Sequence, residues 1–155
     1  MSSNPYAQFS GVPMNSEDID DLLVSQGYGT LSLCRDGVPY SVPISFGYDG
    51  EHVYFGLLED SPEPTKFEFI EDGATVRLLV TDIRGRFEWQ SAAITGPAER
   101  LDPEGDEWEH FMDTLDDNAW FIREFVESDA VRSVQGWKVQ IDELQGLERK
   151  EEVYD

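Results

Sequence analysis

The sequence predicts a mainly β fold, a small antiparallel barrel of six strands with three or four peripheral helices. Three observations lead there. Short runs rich in β-branched and aromatic residues follow one another with only Asp36-Gly37 and Asp49-Gly50 between the first three, and Asp-Gly in that setting marks a hairpin. The strand–helix–strand alternation that a parallel sheet needs is missing. The chain has 155 residues, 39% of them hydrophobic, enough for one core and too few for two comfortable ones. Closing the sheet on itself would remove its exposed edges.

The elements follow in order. Residues 15–26 read as a helix: Asn15 or Ser16 can cap it, Glu17 and Asp18 suit its positive end, Ile19, Leu22 and Leu23 keep helical spacing, and Gly27 stops it. Residues 29–34, 39–48 and 52–57 form the first three strands. Pro43 falls in the middle of the second, and a residue without an amide hydrogen belongs at an edge, at a bulge, or opposite something other than a strand. A proline-punctuated loop at 61–64 precedes a short helix at 65–71 with Phe67 and Ile70 turned inward. Residues 74–81 are the fourth strand, 83–86 a turn around Gly85, and 87–101 a long fifth strand bent near Gly96-Pro97. Pro103 opens a helix with Trp108, Phe111, Met112 and Leu115 on one stripe; residues 118–126 are a second helical segment, and 136–141 a closing strand. This gives an N-terminal arm (1–14), one domain (15–146) and an acidic C-terminal tail (147–155).

Charge narrows the function. The chain carries 33 acidic and 11 basic residues, a formal charge of −22, and only three lysines, Lys66, Lys138 and Lys150. Such a surface is a poor partner for nucleic acid or an anionic membrane. Dispersed acid with few lysines points to a halophile's cytoplasm, because self-repulsion is relieved by salt. The only cysteine, Cys34, permits no intrachain disulfide and is expected to be buried and inert. The polar, uncharged N-terminus and the lack of any long apolar run lead us to expect a soluble, cytoplasmic protein. Phosphate-loop and dinucleotide fingerprints are missing, as is a local Ser-His-Asp signature. His52, His110 and Cys34 lie too far apart in sequence to suggest a metal site; both histidines are expected to be solvated.

Four stretches carry a resemblance by their order and spacing: GYGTLSLCRDGVPYSVPISFGYDG, EHVYFG, the Thr65-Lys66 pair opening a short helix, and WQSAAITGPAERL. Together they resemble the pyridoxamine 5'-phosphate oxidase-like flavoproteins, the FMN-binding split barrels, and look closest to their short, nitroimidazole-resistance-like branch. The resemblance implies a six-stranded Greek-key split β-barrel and a homodimer with FMN between subunits. It lays Ser41, Val42, Pro43, Ile44 and Ser45 along the flavin ring. Tyr54, Phe55 and Gly56 would run beside the ribityl chain. Thr65 and Lys66 would hold the phosphate, and Trp89, Gln90 and Ser91 would close the site, in part from the partner subunit. Lys66 suits that role, since charge-assisted bonds are about twice as strong as neutral ones and amides at a helix start favour an anion.

Two departures bear on activity. The second strand holds no cation between Tyr40 and Ser45, and Gly56 stands where the nitroimidazole-resistance branch often has histidine. The C-terminal arginine–histidine motif of the true oxidases is also missing, so oxidation of pyridoxamine phosphate is not the expected reaction. The expected function is an FMN-dependent oxidoreductase passing electrons from a reduced nicotinamide or similar donor to a small-molecule acceptor, with no catalytic side chain assigned. The alternatives are a flavin carrier or sensor without turnover, and a cofactor-free dimeric interaction protein.

The charge makes one prediction independent of the fold. Raising salt from low to molar shortens the screening length to about 3 Å, so the melting temperature should climb steadily over that range. A flat melting temperature would remove the halophile reading.

Overall fold

The computed structural model describes residues 10–59, 65–117 and 134–150. A closed six-stranded antiparallel barrel forms the centre, with helices outside it. In chain order the elements are β1 (Val12–Pro13), α1 (Ser16–Gln26), β2 (Tyr28–Arg35), β3 (Val38–Tyr48), β4 (His52–Leu58), α2 (Lys66–Phe69), β5 (Thr75–Gly85), β6 (Glu88–Leu101), α3 (Trp108–Asp116), β7 (Val134–Gln140) and β8 (Glu143–Arg149). The sheet runs β1-β8-β6-β5-β2-β3-β4-β7, and β6–β7 pairing closes the ring of β2 to β7.

Strand β6 makes the closure possible by changing partners along its length. Its first half, Trp89 to Thr95, pairs with β8, while Ala98 to Leu101 pair with β7. The exchange occurs at Gly96-Pro97, where the sequence predicts a bend. A Cβ on Gly96 would collide with the backbone carbonyl of Gln140. Only glycine lets the two strands cross that closely.

Helix α1 starts and stops as its sequence dictates. Asn15 Oδ1 accepts from the Asp18 amide at 2.8 Å, and Gly27 ends the helix at φ 67°. Ile19, Leu22 and Leu23 are buried against the barrel. The main core gathers Leu31, Phe46, Phe55, Leu78, Val80, Ile94 and Val139. A smaller cluster of Tyr54, Leu101, Phe111, Met112 and Leu115 seats α3 on the outside of β4 and β7. Glycines let α3 come close: a Cβ on Gly136 would lie 2.6 Å from Trp108, and one on Gly47 2.7 Å from the Thr114 carbonyl.

Several expectations are corrected. Residues 136–141 are not the last strand; β8 follows and continues through 147–149, which the sequence suggests belong to a tail. Its sequence shows little alternation because only Glu148 of β8 is buried. At the other end, residues 12–13 of the expected arm pair with β8. Residues 83–85 extend β5 through a bulge rather than forming the turn. Cys34 is exposed, because β2 alternation turns Leu31 and Leu33 inward and Cys34 outward. The loop at 61–64 and the helical segment at 118–126 lie outside the described residues.

Gly96→Ala is expected to destabilise the protein by at least about 2 kcal/mol, since a side chain there must displace backbone. Gly85→Ala, whose Cβ would meet nothing within 4 Å, should change stability by less than about 0.5 kcal/mol. Urea unfolding of the two variants checks the contrast.

Candidate functional site

The site begins where β3 and β4 part. They pair at only three positions, Phe46 with Phe55, Gly47 with Tyr54 and Tyr48 with Val53. Before Phe46, β3 pairs with β2; beyond Phe55, β4 runs on beside β7 to Leu58. Hydrogen-bond alternation shows what the parting exposes. The Phe46 amide donates to the Gly27 carbonyl at 3.0 Å, so the amides of Ile44 and Val42 also turn toward β2. Those of Ser45 and Ser41 turn the other way, toward the opening, as would that of Pro43, which has none. A continued ladder would need Pro43 to donate to β4, and it cannot. The split between β3 and β4 therefore exposes the backbone edge of residues 41–45, with the Ser41 and Ser45 amides as donors. Ser41, Pro43 and Ser45 lie on the outer face, while Ile44 is buried and Val42 half-buried.

Helix α2 closes the Tyr40 end of this edge. Phe69 stacks on Tyr40 with centroids 4.9 Å apart and planes 11° from parallel. Ile70 is buried and Phe67 packs against the core. Arg35 at the end of β2 donates to the Glu68 carbonyl at 2.5 Å and pairs with Glu71 at 3.3 Å. Thr65 precedes the helix, and its side chain makes no capping bond. Lys66 is half-buried, its ammonium 5.3 Å from the Phe67 ring centre. Burial pushes its pKa down. Among the described residues no carboxylate lies within ion-pair distance of Lys66.

Strand β4 offers less than the sequence implies. The Tyr54 side chain is buried beneath α3, edge-on to His110 at 5.3 Å. Phe55 is buried in the barrel and stacked on Trp137. A Cβ on Gly56 would lie 2.9 Å from Val134, so that glycine serves the β4–β7 contact. Only the β4 backbone remains for the split.

Asp49 ties the β3–β4 hairpin to α3. It accepts from His110 Nε2 at 2.8 Å and from the amides of Glu51 and His52 at 2.8 and 2.7 Å. Burial pushes its carboxyl up, but these bonds and one from the Tyr54 hydroxyl prevail and hold it at about 2. His110 is thus paired rather than simply solvated, a link no local pattern announces because its partner lies 61 residues away.

Trp89, Gln90 and Ser91 sit elsewhere. Three inter-strand spacings, about 14 Å, separate Ser45 on β3 from Ser91 on β6. Lys66 is farther still, since α2 lies beyond the Ser32–Arg77 pair and Trp89 faces Ile83 at the other end of β5. Gln90 Nε2 donates to the buried Glu148 at 3.2 Å. Trp89 packs on Gly11, whose Cβ would lie 2.7 Å from the indole. Around them opens a cavity of about 430 Å³, lined also by Asp82, Arg84, Glu88, Arg149 and Lys150. The sequence gives no hint of this cavity, because Arg149 and Lys150 read as tail. One chain therefore brings residues 41–45 and 65–66 to one region and 89–91 to another. Among the described residues, no three His, Cys, Asp or Glu side chains are grouped to hold a metal, and no helix is long and apolar enough to cross a membrane.

A family model described as pyridoxamine 5'-phosphate oxidase matches residues 15–148. The match is to the family as a whole and does not single out the nitroimidazole-resistance branch. An uncharacterized protein of Rhizobium meliloti is 24% identical over 88 residues, covering 57% of this chain and 56% of that protein, so the chain matches about half its curated relative's length. The crystal structure of an FAD-binding protein from Mesorhizobium loti superposes with a TM-score of 0.70 at 20% identity, over 90% of this chain and 97% of that one. That of an FAD-binding protein from Mycobacterium smegmatis gives 0.68 at 17% identity, over 91% and 100%. At these identities the two structures speak for the shared fold.

The Asp49 cluster predicts acid sensitivity. The folded-state pKa, about 2, lies below the ordinary 3.8. Its stabilisation is therefore complete above the ordinary value and is lost as pH falls from there toward the folded one. After allowance for solvent screening it is worth on the order of 1 kcal/mol. Asp49→Asn should lower stability by about that amount at neutral pH, and the gap to wild type should narrow below about pH 4. Urea midpoints measured down the pH scale check the convergence.

Proposed function

The chain belongs to the pyridoxamine 5'-phosphate oxidase family, and from that premise we propose that it is a flavin-binding protein working as a homodimer, most simply an FMN-dependent oxidoreductase. The observation that carries the reading is Lys66. In a chain with three times as many acids as bases, a half-buried ammonium at the end of the β3–β4 split has no carboxylate partner among the described residues. A flavin phosphate would supply the missing charge, and Thr65, the residue before Lys66, makes no capping bond that would tie up its hydroxyl. The Ser41 and Ser45 amides suit the polar edge of the flavin ring. When bound, the flavin supplies the electron-transfer chemistry. The protein's own part is to grip the phosphate, align the ring along β3 and shield it from water. A nicotinamide or similar donor and a small acceptor complete the proposed reaction.

Two features support a second copy. Residues 89–91 lie across the sheet from the split, so they can close the site only from another subunit. The outer face between them also carries few charges in a strongly acidic chain: Thr30 lies opposite Leu79, and Thr81, Ser91 and Leu147 lie in register across β5, β6 and β8, with Arg77 a charge beside Leu79. Leu79 and Leu147 are each 42% exposed. Twofold pairing of such faces would cover them.

Removing Lys66 tests the reading. Lys66→Ala is expected to weaken FMN binding about ten- to hundredfold, the loss of one charge-assisted contact. Riboflavin, lacking the phosphate, should bind wild type and variant alike, and Lys66→Arg should restore much of the FMN affinity. Equal losses for both flavins would move the phosphate site elsewhere, with Arg77 and Arg86 the next candidates. Protein purified without flavin absorbance, unable to take up either flavin, would favour the cofactor-free alternative. Flavin-loaded protein should scatter light as a dimer.

A further inference from the structure

We infer that the split makes its flavin strongly reducing: the ring meets only neutral groups there, within a molecule of charge −22, so the reduced, negatively charged flavin is held less tightly than the oxidised one. This rests on the flavin reading above and adds to it the direction in which the site drives electrons. Two-electron reduction places two electrons on the ring and one proton on its N5. The ring is then an anion along its N1–C2 carbonyl edge until a second proton arrives at N1. The groups that face that edge decide how well the anion is tolerated.

Between Asp36 and Asp49 the chain has no Asp, Glu, Lys, Arg or His, so the whole of β3 is uncharged. Its neighbours on β2, Tyr28, Thr30 and Ser32, lie opposite Ser45, Pro43 and Ser41 and are uncharged as well. Trp89, Gln90 and Ser91, proposed to close the site from a second copy, add no charge. The cations among the described residues around the split stand at its ends or turn from it. Lys66 opens α2 at the Tyr40 end, where it would be spent on the phosphate. Arg35 pairs with Glu71 at 3.3 Å. Arg77 lies beyond Ser32, two strand spacings or about 10 Å from β3, and donates to Thr95 Oγ1 at 3.0 Å, on the side away from the split. At the hairpin end His110 and the Tyr54 hydroxyl are both bound to Asp49. The Ser41 and Ser45 amides remain for the polar edge of the ring, and neutral donors are about half as strong toward an anion as charged ones. The acids that flank β3 and α2, Asp36, Asp49, Glu68 and Glu71, act against the anion.

The rest of the surface works in the same direction. One remote carboxylate matters little through water, yet a net charge of −22 acts together wherever screening is weak. At about 10 mM salt the Debye length is about 30 Å, the diameter of a small domain. In molar salt it is about 3 Å. The potential of the bound flavin is therefore set low and rises with salt. Such a flavin gives electrons to a small acceptor and is poorly placed to draw them from an amine or an alcohol.

The test is the midpoint potential of FMN bound to the full-length protein, measured anaerobically against a reference dye, with free FMN in the same buffer. At about 10 mM salt we expect it to lie below that of free FMN by at least about 30 mV, which is reduced FMN binding about tenfold more weakly than oxidised FMN. In molar salt at least half of that gap should close. Ser45→Arg and Ser41→Arg each bring a cation to the edge and should raise the potential in low salt. Ser41 is exposed and provides the test if Ser45→Arg does not fold; the salt series needs no variant. A potential at or above that of free FMN in low salt overturns the inference, and so does a gap that salt leaves unchanged or that neither arginine narrows. Protein that takes up no FMN refutes the flavin reading and this inference with it. Protein that takes up FMN with an unshifted potential refutes this inference alone.

Discussion

A hydrogen that Pro43 lacks helps keep this barrel open along β3. The Phe46–Gly27 bond sets the phase of β3, and that phase points the nitrogen of residue 43 toward β4. The β3–β4 ladder holds for three pairs and stops before Ser45, and Pro43 leaves no donor with which it could resume. β4 is then committed to β7 over all seven of its residues, and β3 to β2. The split is thus an unpaired polar edge that the fold cannot cover from within. An edge of this kind, short and bounded by core packing on both sides, suits a planar, polar-rimmed ligand better than another strand.

Two clamps keep the split's flanks in place. On one side the Tyr40–Phe69 stack and Arg35 hold α2, and with it Lys66. On the other, Asp49 joins the hairpin to His110 while Phe111, Leu115 and Tyr54 seat α3. Neither clamp touches the exposed edge of residues 41–45, so the edge is positioned without being occupied. The same economy shows in the placement of charge. Lys138 is spent on Glu99 and Glu107, and Lys150 on Asp18 and Glu148, whereas Lys66 faces no acid among the described residues.

The separation of residues 89–91 from the split follows from topology alone. β6 lies three strands from β3 whichever way the ring is followed, through β2 and β5 or through β4 and β7. No side-chain rearrangement within one chain spans that width of sheet. The outer face that lies between them carries few charges, Arg77 among them, where the molecule as a whole is acidic, and the physical cost of leaving exposed leucines there falls away if a second copy covers them.

Local signals made much of this protein readable from its sequence. Asn15 and Gly27 bracket α1, Asp36-Gly37 and Asp49-Gly50 mark hairpins, and period-two alternation marks β2, β5 and β6; each rests on residues a few positions apart. Pro43 announced a broken ladder, but not which strand it was broken from. What distance in sequence separates, tertiary structure decided: that β6 would trade β8 for β7 at Gly96, that Asp49 would find His110, and that Trp89 would share a cavity with Arg149 and Lys150. β8 leaves little trace in the sequence because it is an outer strand with one buried residue, and its alternation therefore carries almost no hydrophobic contrast. The exposure of Cys34 has a related reason: a strand's composition tells that one face is buried, and only the register with its neighbours tells which.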